Sequence, residues 1–353
     1  MSAFESLSPP VPVPSSRTSP RVSPLTALLV VLVLLVPFIG IYPVFVMKAL
    51  CYALLAAAFN LLFGYVGLLS FGHAAFFGTA AYVTAFTVKH WGLTPELGIA
   101  LGTLTGAALG MVFGWVAIRL HGIYFAMVTL ALAQLLFFFY VQAAGFTGGE
   151  DGIQAVPRGK LFGVIDLEQP RAIYYTCAAV CLSGFAVIHR VVNSPFGHVL
   201  RAIRENEPRA ISLGYQVNRV KLLAFTLSAA LAGLAGAMKT VVLQLATLND
   251  VAWTLSGEIV LMTLIGGVGT LLGPIVGAFI LVGIGAYLAS IGSWIMMLQG
   301  AVFMLCVLSF RRGICGWIED RFQQQQQQQQ QSTGAMDGEA AAVPVPKPGY
   351  KRP

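Results

Sequence analysis

Charge is what this chain has least of. Only 10% of its 353 residues are Asp, Glu, Lys or Arg, while 57% are hydrophobic. A soluble domain carries about 25% charged and 45–50% apolar residues, so an ordinary soluble globular protein is excluded. Histidine is also scarce: His73, His90, His121, His189 and His198 are dispersed. Without acidic or thiol companions at ligand spacing they give no metal cluster, and no nucleophile–base arrangement stands out. No G-x-x-x-x-G-K-[ST] stretch occurs, so there is no phosphate loop and no nucleotide site in the chain itself. Of the five cysteines, Cys51, Cys177, Cys181, Cys306 and Cys315 all lie in or beside apolar segments. Cys177 and Cys181 share a helix face and read as buried thiols rather than a metal site. The expectations are therefore no catalytic residue, no bound cofactor and no metal.

What is there is apolar length. The mean hydropathy is +0.78, and segments of about 20 residues suffice to span a bilayer. We read spans at roughly 25–43, 44–63, 66–88, 97–118, 122–144, 171–190, 221–245, 251–269, 271–291 and 293–310. The fold class is all-α, a polytopic integral membrane protein of about ten transmembrane helices, with nine as the rival count. The 38 glycines suit close helix–helix approach.

The net charge of +7 suggests nucleic acid only in a soluble protein. Here the basic residues fall mostly in loops and tails, as the positive-inside bias requires, and no nucleic-acid partner is expected. With the N-terminus inside, Arg119 and the loop 193–220 are cytoplasmic and the loop 145–170 is external. Arg311 and Arg312 are inside only if 251–269 crosses the membrane. Residues 1–24, rich in Pro and Ser, and 322–353, with their glutamine run, read as disordered cytoplasmic tails. They flank a transmembrane domain over 25–312. Leu25–Val36 resembles a signal-peptide core without a cleavage site, hence an uncleaved anchor.

Five stretches carry candidate function. Gly197–Leu222 is the longest strongly charged run, with Arg201, Arg204, Glu205 and Glu207 among its charges. Pro208 suits a helix first turn and Gly214 a helix end, so a short helix is predicted from Pro208 to Leu213. It is either a docking element or a plain solvated loop. Asn60–Gly78 is an apolar run punctuated by glycines, with Asn60, Ser70, Gly72 and His73 as pathway candidates. Unwound backbone at membrane depth survives only where protein buries it or where it lines a wet cavity. A lone histidine is, however, more often structural. Arg119–Thr129 adds Tyr124 and Thr129. Phe146–Gly152 is an acidic, glycine-rich outer turn. Glu258 is the main carboxylate within a span and a functional candidate on that ground; Lys239 is a candidate structural partner, and a structural role is as open as a functional one. The run Gly266, Gly267, Gly269, Gly273 and Pro274 reads as close helix packing or a bend.

Together these motifs resemble a known family, the membrane-spanning permeases of branched-chain amino acid ABC importers, of the LivM type. The resemblance lies in GYVGLLSFGHAAFFGTAAY at Gly64–Tyr82, RLHGIYFAMVTLA at Arg119–Ala131 and TGGEDGI at Thr147–Ile153. It continues in the run from Arg201 to Ala237 and in LIGGVGTLLGPIVGA at Leu264–Ala278. It implies an ABC importer permease fold in the bacterial inner membrane. The implied partners are a second, LivH-type permease, two cytoplasmic ATPase subunits and a periplasmic substrate-binding protein. ATP and Mg are implied on the ATPases alone. It also implies that Glu207, Ala210 and Gly214 match an E-x-x-A-x-x-x-G pattern that docks on the ATPase. Related permeases carry urea, amides or other small solutes, so these stand as alternatives to leucine, isoleucine and valine. An ion-coupled secondary transporter is the rival from another class, and a membrane scaffold without a pathway is the third.

Overall fold

The computed structural model describes residues 42–287, with isolated positions beyond them. The expected spans 25–43 and 293–310, both tails, Arg311, Arg312, Cys306 and Cys315 lie outside the described residues, save Tyr42, Pro43 and those isolated positions. Among the described residues, ten helices of six residues or more follow in order. They are α1 (Pro43–Phe63), α2 (His73–His90), α3 (Pro95–Ala117), α4 (Ile123–Gln142) and α5 (Pro170–Val192). After them come α6 (Pro195–Glu205), α7 (Glu207–Ser212), α8 (Val217–Leu243), α9 (Trp253–Gly266) and α10 (Gly273–Tyr287). Prolines open α1, α3, α5 and α6. The first helical position tolerates the missing N–H and uses the fixed φ.

Among the described residues, five helices, α1, α3, α4, α5 and α8, are long and apolar enough to cross a bilayer. The segment expected as a full span at 251–269 is shorter. Its helix, α9, has 14 residues, about 21 Å at 1.5 Å per residue, against a hydrocarbon core of about 30 Å. The glycine run ends it, because Gly267 takes φ +121° and Gly269 φ +80°, backbone that side-chain-bearing residues rarely adopt. The expected span at 66–88 begins late for a similar reason: α2 starts only at His73, and residues 64–72 are irregular.

The α3–α8 contact organises the bundle. Gly98, Gly102, Gly106, Gly110 and Gly114 recur every fourth residue on α3 and line one face. A Cβ added at Gly106 would lie 3.0 Å from the Cα of Gly233, and one at Gly114 would lie 3.1 Å from Phe225 on α8. The two helices therefore run antiparallel, nearly backbone on backbone. In lipid no hydrophobic force drives helices together, and such small-residue seams supply the packing. α1 is buried almost all round, as an apolar helix at a bundle centre should be. α4 instead exposes Met127, Leu135, Phe138 and Phe139, a surface for lipid or another membrane helix.

Opposite the α6–α7 end, loops cap the bundle. β1 (Ile153–Gln154) pairs antiparallel with β4 (Leu245–Ala246), and β2 (Lys160–Leu161) with β3 (Ile165–Asp166). The all-α reading holds apart from these two-residue ladders.

Candidate functional site

The irregular stretch 64–72 is fastened at every turn. The side-chain amide of Asn60 donates to the Thr270 carbonyl (2.7 Å), and its oxygen accepts from Gly269 N–H (2.9 Å). One side chain of α1 thus closes the glycine turn between α9 and α10. Gly64 has no room for a side chain, since a Cβ there would come within 2.7 Å of Gly269 N. Phe71 N–H donates to Thr129 Oγ1 on α4 (3.1 Å), and Gly72 N–H donates to Ser70 Oγ (3.2 Å). Ser256 on α9 accepts from Ala74 N–H and donates to the Phe71 carbonyl. Buried backbone groups are nearly always paired, and here side chains of three helices do the pairing.

His73 belongs to this brace. Its Nε2 lies 2.8 Å from Ser228 Oγ, whose single proton goes to the Ala58 carbonyl. Nε2 is therefore the donor. The ring is fully enclosed by Phe59, Phe76 and Phe225. The structure brings Asn60, Ser70, Gly72, His73 and Thr129 into one region. Tyr124 stands apart, 68% exposed on the first turn of α4.

The charged island folds as two helices joined at Asn206. Ser194 caps α6 by accepting from Gly197 N–H (3.4 Å), and Asn206 caps α7 by accepting from Arg209 N–H (3.1 Å). α7 ends in a Schellman turn. Gly214 takes φ +86°, with Gly214 N–H on the Ile211 carbonyl and Tyr215 N–H on that of Ala210. Ile203, Ala210 and Val217 make a small core inside the hairpin. Glu207 and Pro208 occupy the first turn of α7. The Glu207 carboxylate holds the nearly buried Lys221 at the base of α8 (2.6 Å) and approaches His121 (3.6 Å). Glu205 is exposed, as are Ile211, Leu213 and Tyr215 at 57%, 69% and 46%. A folded hairpin with an apolar tip is a docking shape.

Two arginines tie that hairpin to the break. Arg204 donates to the Gly64 carbonyl, and its stem crosses Gly67, where a Cβ would lie 3.1 Å from Arg204 Cγ. Arg201 donates to the Val192 carbonyl (3.1 Å) and stacks over Tyr65 (5.5 Å).

Glu258 is not paired with Lys239, its candidate partner. Lys239 bonds Asp250 instead (2.6 Å), both buried, and Thr247 donates twice more to the same carboxylate oxygen. The short 3-10 turn Leu248–Asp250, capped by Thr247, folds back over the end of α8, which a pairing argument based on spans alone does not foresee. Glu258 lines a cavity of ≈ 200 Å³ with Lys48 and Tyr52 of α1, Met262, and Leu281 and Val282 of α10. Lys48 lies over the Tyr52 ring (5.8 Å). Neither Lys48 nor Glu258 has an ion-pair partner among the described residues. Lys48 was legible as the one cation inside α1. Ser228, Ser256 and Asp250 carried no sequence signal beyond being polar in apolar surroundings.

Gly266 and Gly273 meet at the α9–α10 turn, where a Cβ at Gly273 would lie 2.6 Å from the Gly267 carbonyl oxygen. Pro274 sits in the first turn of α10. Thr270 braces the turn by donating to the Gly267 carbonyl and accepting from Gly273 N–H. In the loop cap Glu150 and Asp151 are exposed.

Fold and site together define a polytopic helical membrane protein. Its broken inner segment is linked by hydrogen bonds to a projecting hairpin. Residues 44–307 match the family described as branched-chain amino acid transport system, permease component, and the chain belongs to that family. It is 27% identical over 285 residues to the high-affinity branched-chain amino acid transport system permease protein LivM of Salmonella typhimurium, covering 74% of this chain and 67% of the relative. The corresponding LivM of Escherichia coli K12 is 26% identical over the same shares. The autoinducer 2 import system permease protein LsrC of Klebsiella pneumoniae is 29% identical over 190 residues, 52% of this chain and 51% of the relative. No solved structure matches the chain.

Proposed function

We propose that this permease is the membrane subunit of an ATP-driven importer that moves branched-chain aliphatic amino acids inward. The observation that carries this reading is the α6–α7 hairpin. It presents Ile211 and Leu213 outward and holds the Gly64 carbonyl through Arg204. In this account the hairpin faces the cytoplasm and seats against one of two ATPase subunits, which bind ATP and Mg. Both termini are cytoplasmic. A second, LivH-type permease completes the path, and a periplasmic binding protein docks on the cap that carries Glu150 and Asp151.

ATP-driven closure of the ATPases pushes α7. The push passes through Glu207–Lys221 to α8 and through Arg204 to the α1–α2 break. Coupling of this kind needs two states with different contacts at the docking element.

The cavity between Lys48 and Glu258 suits the substrate. A zwitterion offers a carboxylate to Lys48 and an ammonium to Glu258, and Met262, Leu281 and Val282 provide an apolar wall for a branched side chain. Unpaired charges at membrane depth mark such paths. Urea or a simple amide would leave both charges unanswered, which favours amino acids among the alternatives.

The test is uptake of radiolabelled leucine by proteoliposomes holding the chain with its co-purified partner subunits. Uptake that requires internal ATP and the binding protein, and stops with vanadate, supports the reading. Transport by the chain alone on an ion gradient would sink it and favour a secondary transporter.

A further inference from the structure

Cys177 and Cys181 stand one turn apart on α5, and the fold brings Cys51 of α1 against them. All three are fully buried free thiols. Their Sγ atoms all lie within 4.8 Å of one another, with Cys51 and Cys177 at 3.9 Å. The two helices are locked in register a turn further on, where a Cβ at Gly184 would lie 2.7 Å from Leu54. A cation bound to three thiolates at about 2.3 Å needs sulfurs about 4 Å apart, a separation the Cys51–Cys177 pair already has and the set as a whole approaches within 4.8 Å. Sequence spacing offered only two of the three ligands, because the third lies 126 residues away.

From this geometry we propose a tris-thiolate site for a thiophilic trivalent metalloid of the arsenite class. Charge selects the valence. Among the described residues, Cys51 Sγ and Cys177 Sγ are partners and Cys177 Sγ also meets the Met47 carbonyl at 3.8 Å, while Lys239 is engaged by Asp250. Three thiolates around a monovalent or divalent ion leave net negative charge in an apolar interior, where unpaired charge is strongly disfavoured. A trivalent centre makes the site neutral. The exchange is balanced: As(OH)3 and three Cys–SH give As(S–Cys)3 and three waters. Three As–O and three S–H bonds break, three As–S bonds form, each thiol proton leaves with a hydroxide, and no oxidation state changes. Arsenite at neutral pH is the uncharged As(OH)3, which suits approach through an apolar helix interface. Occupancy would staple α1 to α5.

The experiment uses the full chain in detergent with Cys306→Ser and Cys315→Ser, so that only these three thiols remain, and arsenite as the probe. Intact mass should rise by one arsenic less three hydrogens, all three thiols should become unreactive to maleimide, and X-ray absorption should show three As–S neighbours. A dithiol should reverse all three. Cys51→Ser should abolish the adduct while leaving the unfolding temperature of the arsenic-free protein near the parent's. No adduct in the parent overturns the proposal. So does an adduct retained in Cys51→Ser, which would assign the arsenic to the Cys177–Cys181 pair alone. Should Cys51→Ser fail to fold, Cys51→Ala and Cys181→Ala serve as replacements, read by the same mass shift.

Discussion

Arg204, in the last turn of α6, donates a hydrogen bond to the carbonyl of Gly64, where α1 ends and the irregular stretch begins. A projecting element is thereby joined to the one place where the buried helices are interrupted. Asn60, a turn earlier, joins the same point to the α9–α10 turn. A movement of the hairpin has a direct route to both backbone breaks.

Replacing Arg204 with Met keeps the stem and removes the donors. A hydrogen bond to a charged group contributes about 1.5–3 kcal/mol, so ATP-driven uptake should fall about tenfold or more. ATPase binding to the complex should stay near wild type. The measurement is uptake and ATP hydrolysis in the same proteoliposomes, and the expected signature is hydrolysis without proportionate transport.

Lys239 and Asp250 form a buried pair. Removing one partner strands the other charge and typically costs about 3–5 kcal/mol, whereas replacing both with apolar residues is often neutral. Lys239→Met and Asp250→Leu should each lower the unfolding temperature in detergent, and the double substitution should recover most of the loss. A double substitution as unstable as the sum of the singles would contradict the pairing.

The α3–α8 seam leaves no space at Gly106. Gly106→Leu should destabilise the protein, since overpacking a tight interior costs about 1–3 kcal/mol and sometimes more. Gly145→Ala, where nothing lies within 4 Å of the added carbon, should be silent. Thermal unfolding of the two variants side by side checks the contrast.

Lys48→Met and Glu258→Gln address the cavity. Each removes one of the two charges offered to a zwitterion. Each should raise the KM for leucine about tenfold, the loss of about 1.4 kcal/mol of binding, with the co-purified ATPases retained. Unchanged KM in both variants would move the substrate path elsewhere.

Much of the architecture was legible before any coordinates. Apolar runs and the glycines that interrupt them announced a helical membrane protein with unwound backbone within Asn60–Gly78. Pro208 and Gly214 announced the short helix, because helix starts and stops are written in local residue types. The tertiary partners were not legible. Asp250 competes with Glu258 for Lys239 only because the chain turns back over α8. The serines that pair with His73 and Phe71 lie 155 and 185 residues away. Three-dimensional proximity of that kind leaves no mark in spacing.

The central claim is that the apolar tip of the hairpin is the seat of an ATPase. The most direct measurement is co-purification of ATPase subunits with the chain carrying Ile211→Asp and Leu213→Asp, two exposed positions whose substitution leaves the buried core untouched. The account predicts a folded permease, with an unfolding temperature near wild type, that no longer retains the ATPases and no longer imports leucine. A double variant that keeps its ATPases and its ATP-driven uptake would contradict it.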